Sequence, residues 1–172
     1  MMPTDVLREE HRVILRALVV LEAGAERLAV GDALPEGWWE NLIRWFRSFA
    51  DANHHAKEER YLFPALAKVG VPSEGGPLAV MLEEHGESRD LVQAMERDAA
   101  GRVGAARRYV RLLRDHIEKE NGVLFPLAET VLHKPEWDVL AGEFESVQAE
   151  QGREASIDHA EVAVARLETA LG

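Results

Sequence analysis

Along this chain apolar residues recur at three- and four-residue spacing, and stretches that alternate β-branched and polar residues are missing. Alanine, leucine, glutamate and arginine dominate, all good helix formers. Proline and glycine fall between the periodic segments, where helices start and stop. This punctuation predicts helix A from about Thr4, a candidate N-cap behind Pro3, to Gly31, and helix B from about Glu36 to Lys68. After the loop "VGVPSEGGP", helix C runs from about Leu78 to Ala99 and helix D from about Arg102 to Leu132, where "HKP" stops it. The remaining residues form one or two further helices, with Gly152 or Ser156 as the break. Four long helices with short connections imply an all-α, antiparallel up-down four-helix bundle over residues 1–135, with residues 136–172 a C-terminal helical extension packed on the same domain.

Laid over this pattern is a repeat. "HHAKEERYLFP" and "HIEKENGVLFP" each end in Leu-Phe-Pro, with a glutamate six residues before the proline (Glu58, Glu120) and a histidine ten before it (His54, His116). "LREEH" ends at His11 and "MLEEH" at His85. Helices A–B and C–D therefore read as two halves of a pseudo-repeat, each supplying Glu-Glu-His and then His-x-x-x-Glu. Pro64 and Pro126 lie at one offset in the two halves, and each is expected to kink or stop its helix.

Residues four apart share a helix face. Leu7, Ile14, Leu15 and Leu18 share the face of His11; Leu78, Met81, Leu82 and Val92 share that of His85. Ala50, Tyr61 and Leu62 surround His54 and Glu58, and Leu112, Leu113, Val123 and Leu124 surround His116 and Glu120. All six polar residues thus point into the interior. Burying two unpaired carboxylates costs several kcal/mol per ion, on the order of what a domain can tolerate. A single His-x-x-x-Glu is ordinarily a solvated pair. Two at matched offsets from Leu-Phe-Pro, with one more histidine on each remaining helix, call for cations. Four imidazoles and two carboxylates carry a charge of −2, which suits two divalent ions bridged by both carboxylates, about 3.5–4 Å apart.

Composition removes the competitors. With 20 basic and 31 acidic residues the net charge is −11, which argues against nucleic-acid binding. The absence of cysteine excludes disulfides, thiolate metal sites and cysteine nucleophiles. No apolar run reaches membrane-spanning length, so a cytoplasmic protein is expected. There is no phosphate loop and no Ser-His-Asp arrangement. No histidine has a glutamate three residues before it, which rules out the Glu-x-x-His pattern of ferritin-like di-metal bundles.

The doubled motif resembles that of the hemerythrin-like, or His-His-Glu cation-binding, family, over roughly residues 4 to 132. The resemblance implies a non-haem di-iron site with an oxo or hydroxo bridge, in which His11, His54, His85 and His116 are terminal ligands and Glu58 and Glu120 bridge. Manganese and zinc suit the same donors. Oxygen carriers of the family have a further histidine one turn after the one on helix C, where this chain has Arg89, and an aspartate where it has Glu120. The implied set is symmetric, with two histidines per iron and an open position on each. It is similar to that of di-iron proteins proposed to repair iron centres, which carry a cysteine-containing N-terminal domain. The expected role is binding or reacting with oxygen, nitric oxide or peroxide, in sensing, detoxification or redox chemistry. The rivals are a di-iron oxidase or peroxidase, an iron store or donor, and a metal-free bundle that binds a protein partner.

Other polar residues are expected to lie outside this set. On an α-helix His55 is rotated about 100° from His54, and its counterpart in the repeat is Ile117. Glu59 matches Asn121 and reads as a surface residue. Glu10 and Glu84 precede the single histidines and could partner metal-bound imidazoles, but their angular offset favours a solvated face. Tyr61 and the tryptophans read as packing residues, and His133 and His159 as surface.

Overall fold

In the computed structural model, which describes Met1–Gly172, α1 spans Pro3–Ala29. It begins one residue earlier than expected. Proline is tolerated in a first turn, where its missing N–H has no partner to lose. The Asp5 carboxylate accepts from the Met2 backbone N–H at 3.0 Å, and the Thr4 hydroxyl donates to Glu129 at 2.8 Å instead of capping. α2 starts at Trp38 rather than Glu36, because Gly37 takes a left-handed turn (φ 72°) ahead of it. It continues through Trp38–Trp45, Phe46–His55, Glu58–Leu62 and Phe63–Lys68. α3 is Pro77–Arg97, and α4 runs through Arg102–Lys119, Glu120–Leu124 and Phe125–Val131. α5 (Lys134–Gln151) and α6 (Ile157–Ala170) follow, separated by a 3-10 turn at Gly152–Ala155; the chain contains no strand. Ser156 caps α6 by accepting from the His159 N–H at 3.4 Å.

Neither Pro64 nor Pro126 stops its helix. Immediately before each, the chain widens into π-type turns, Glu58–Leu62 and Glu120–Leu124, in which hydrogen bonds reach the fifth residue. A proline has no N–H for the carbonyl four residues back, and its ring crowds that carbonyl; widening the turn relieves both. The longest wide segment, Phe46–His55, carries His54 and His55.

Two apolar clusters build the interior. One joins Val13, Leu18, Leu42, Phe46, Leu91, Tyr109 and Leu113 to Ala160 and Val164 of α6. The other joins Leu7, Leu62, Leu78, Leu124 and Phe125 to Leu140 and Phe144 of α5. On each of α1–α4 the repeated polar residues fall between the stretches that feed the two clusters, so they form a polar layer sealed above and below by hydrocarbon. Not every apolar neighbour faces inward: Leu82 and Val123 are exposed (44% and 59%), because each lies off its helix's buried stripe. Three tryptophans tie elements together through their indole N–H groups. Trp38 donates to the carbonyl of Leu167 (2.8 Å), Trp39 to Met95 (2.9 Å) and Trp45 to Ala160 (3.2 Å). Trp38 packs so closely on Gly24 that a Cβ there would clash with its ring.

Candidate metal centre

His11, His54, Glu58, His85, His116 and Glu120 meet in the polar layer, each at most 1% exposed. Their donor atoms fall into two groups: His11, His54, Glu58 and Glu120, and His55, Glu58, His85 and His116, with the atoms of each group within 4.8 Å of one another. Each carboxylate faces both sides. Glu58 sets Oε1 3.6 Å from His54 Nε2 and Oε2 3.3 Å from His85 Nε2. Glu120 sets Oε2 3.0 Å from His11 Nε2 and Oε1 2.9 Å from His116 Nε2.

The seventh member, His55, is the residue that sequence reasoning set aside. Its 100° offset from His54 holds for an α-helix, but both lie in the π-type stretch, where more residues per turn mean a smaller rotation per residue. Both rings therefore reach inward, and His55 stacks on His85 with centroids 3.9 Å apart and planes at 18°. The four-histidine, symmetric set becomes a two-histidine side and a three-histidine side. Ile117, the counterpart of His55, is buried in the apolar cluster.

Around the rings lies a second layer that the sequence only half disclosed. Every imidazole offers Nδ1 to an oxygen acceptor: His11 to Asn121 (2.8 Å), His54 to Glu10 (2.8 Å), His55 to Asp51 (3.3 Å), His85 to Glu59 (2.7 Å) and His116 to Glu84 (3.0 Å). Such partners fix the neutral ring as the Nδ1–H tautomer and leave Nε2 free to bind a cation. Glu10 is fully buried, not solvated, and also pairs with the fully buried Lys57. Glu59 is no ordinary surface group either, since it holds His85 while accepting from Arg89 at 2.7 Å. Arg89 also donates to Asp51 at 2.9 Å, so one guanidinium braces the partners of both His55 and His85. Tyr61 is half-buried beside the second cluster and pairs with Arg60. His133 is exposed, and His159 lies 3.5 Å from Glu154, far from this layer in the chain.

Electrostatics show what the seven residues lack. Burial pushes the Glu58 carboxyl well above its ordinary range, and the charge of Glu120 pushes it further. Burial acts the same way on Glu120 but is outweighed by His116 and His11, which hold it well below that range. Burial lowers His54 and His55 to about 3, with His11 and His85 adding to it, so both rings are neutral. Burial opposes charge on His116 too, but Glu120 raises it to about 9. Without a cation Glu58 is driven to keep its proton, while Glu120 is held ionised by the histidines beside it. His11 Nε2, His54 Nε2 and all four oxygens of Glu58 and Glu120 find no hydrogen-bond partner of good geometry, although they are buried. Buried polar atoms are almost always satisfied. Five imidazole nitrogens and two carboxylates aimed at one another form a donor set that suits imidazole-binding divalent ions, and the residues fit a pair of them.

Known proteins of similar sequence point to cation binding as well. Uncharacterized protein Rv1995 of Mycobacterium tuberculosis is 29% identical over 181 residues, covering 99% of this chain and 70% of that protein. Uncharacterized protein Mb2018 of Mycobacterium bovis matches to the same extent. Iron-sulfur cluster repair protein YtfE of Escherichia coli (strain K12 / DH10B) is 29% identical over 135 residues, covering 70% of this chain and 60% of that protein. No solved structure shows significant similarity. The profile described as Hemerythrin HHE cation binding domain matches residues 2–128, and the chain belongs to that family.

Proposed function

We propose that the protein is a di-iron protein that binds or reacts with a small ligand: oxygen, nitric oxide or peroxide. In this reading α1–α4 are the four helices of an antiparallel up-down bundle, residues 1–135, and residues 136–172 close it from outside. The observation that carries the reading is the paired orphan atoms: two carboxylates, each with one oxygen toward either side and no hydrogen-bond partner, among histidines whose outer nitrogens are already engaged. His11 and His54 would hold one iron, His55, His85 and His116 the other, and Glu58 and Glu120 would bridge. The iron pair would supply electrons and an open position for a small ligand. The protein's residues fix the rings, exclude water and carry compensating charge.

Iron is favoured over manganese and zinc by the family and by YtfE, although the donors suit all three. YtfE also motivates a second reading, donation of iron for the repair of damaged centres. That reading needs a labile metal, and the bracing of five rings by five acceptors favours retention instead.

Elemental analysis of the purified protein, with absorption spectra before and after air and azide, tests the reading. About two irons per chain, with bands that shift on azide, are expected. A protein that folds without metal and takes up none when iron is offered sinks it. Ready transfer of iron to a weak chelator selects donation, and multiple turnovers with peroxide or nitric oxide select an enzyme.

A further inference from the structure

The two sides of the centre differ in their access to solvent. On the His11–His54 side, Phe125 stacks on His11 at 5.4 Å, and the pair Glu10–Lys57 behind His54 is fully buried. On the other side a cavity of about 320 Å³ opens onto His55, lined also by Asp51, Ser88, Arg89, Val92 and Tyr109. A water occupies about 30 Å³ of liquid, so a triatomic ion fits easily.

Two groups in this cavity have unused donors. Tyr109 is only 2% exposed, its ring set edge-on to Phe46, yet its hydroxyl makes no hydrogen bond to the protein. Its hydroxyl is left available to a molecule in the cavity. Arg89 uses Nε and Nη2 on Asp51 and Glu59, which leaves Nη1 free. Arg47 also lines the cavity, both its terminal nitrogens held by Glu96 at 2.6 Å. Both guanidinium groups are paired, Arg47 with Glu96 and Arg89 with Asp51 and Glu59, so what the lining offers an anion is directed N–H and O–H donors and not net positive charge.

His55 is the candidate ligand at the floor of this cavity, and it is the one held most loosely. Its contact with Asp51, 3.3 Å, is the longest of the five, and Asp51 is itself tied to the surface residue Arg89. Its counterpart in the other half of the chain, Ile117, is not a ligand type at all. We propose that this cavity is the entrance to the centre and the docking place of a small monoanion, held by the Tyr109 hydroxyl and Arg89 Nη1, and that His55 gives way to admit it. This rests on the di-iron reading.

The test is stopped-flow binding of azide to the iron-loaded full chain. Val92→Trp, which fills the cavity, is expected to slow association at least tenfold with iron per chain unchanged. Tyr109→Phe, which removes one hydroxyl, is expected to raise Kd about fivefold, the worth of one hydrogen bond. In the wild type the rate should level off at high azide, limited by the departure of His55; a linear dependence throughout overturns the part given to His55. Association in Val92→Trp as fast as in the wild type, at equal iron content, overturns the entrance and leaves the di-iron reading standing. If the wild type takes up no iron, that reading falls instead. Docking is then decided on metal-free crystals soaked in bromide. Anomalous density against Tyr109 and Arg89 supports it, and its absence overturns it.

Discussion

The two halves of the centre share a skeleton and differ in almost everything attached to it. In both, a glutamate just before one histidine reaches across to brace the histidine of the next helix: Glu10 to His54, and Glu84 to His116. In both, the residue after a candidate bridge braces the remaining ring: Asn121 for His11, Glu59 for His85. The repeat therefore extends into the second layer. Its charges, however, are placed differently. Glu10 pairs with Lys57, both fully buried, whereas Glu84 pairs with Lys119, whose side chain is 45% exposed. Asn121 is neutral, whereas Glu59 and Asp51 are charged and share Arg89. One side is buried throughout; the other is anchored on the surface cations Lys119 and Arg89 and faces a cavity at His55. In the proposed di-iron reading the duplicated motif would supply the donors for two ions, and the unrepeated neighbours would decide which of them meets the outside.

The largest effect is expected where the halves meet. Glu58 belongs to both donor groups, so Glu58→Ala should reduce iron from about two per chain to near none. His55→Ala touches one group and should cost at most one iron. Elemental analysis after identical iron loading checks both. If Glu58→Ala retains one tightly held iron, the sides are independent and the bridge is wrong.

Next comes the stability of the metal-free chain. Glu10→Ala strands the Lys57 ammonium in the interior, and breaking a buried pair in this way costs about 3–5 kcal/mol. Glu84→Ala leaves Lys119 in solvent and should cost about 1 kcal/mol or less. Urea unfolding of the two variants gives the contrast directly. Equal losses would mean that the burial of Lys57 contributes nothing.

The metal-free chain should also weaken in acid. His54 and His55 are held neutral down to about 3, below the ordinary 6.5, so unfolding takes up protons on them. Stability from these two rings is full above pH 6.5 and is lost as pH falls from 6.5 toward 3. His116, raised to about 9, has the opposite sign: its contribution is full below pH 6.5 and is lost as pH rises toward 9. Urea midpoints of the metal-free protein should therefore fall between pH 6.5 and 4. Replacing His55 with Asn should flatten that fall, while His116→Asn should not.

Much of this was legible in the letters of the chain, and the part that was not has a definite cause. Helix periodicity and the doubled His-x-x-x-Glu placed the six repeated residues in one layer, because spacing along a helix translates directly into direction. His55 was hidden because a period of 3.6 residues per turn points it away from the centre, and the segment Phe46–His55 does not keep that period. Glu59 lies in another widened turn, whereas Glu10 lies in the regular helix α1 and was put on the outside because a helical angle does not register a carboxylate reaching to the neighbouring helix. Pro64 and Pro126 signal the widened turns that carry Glu58 and Glu120, but Phe46–His55 widens with no proline of its own. Lys57 left no such clue, since its burial depends on Phe144 of α5, whose ring lies 6.0 Å from its ammonium, a contact no local pattern encodes.

The finest comparison concerns Asn121 and Glu59, equivalent positions with different charge. Outer partners of metal-bound imidazoles are worth about 10–100-fold in affinity, and a charged acceptor makes the stronger hydrogen bond. Asn121→Ala should therefore weaken iron retention by about tenfold, and Glu59→Ala by closer to a hundredfold. Glu59 is partly exposed, however, and its removal frees Arg89 to move onto Asp51 alone, tightening the hold on His55. That compensation would shrink the difference between the two variants. Competition against a chelator of known affinity measures both. Glu59→Ala,Arg89→Ala removes the brace altogether and should restore the full gap. If it does not, the charge on Glu59 matters less than the position of its oxygen, and the asymmetry of the two halves rests on His55 alone.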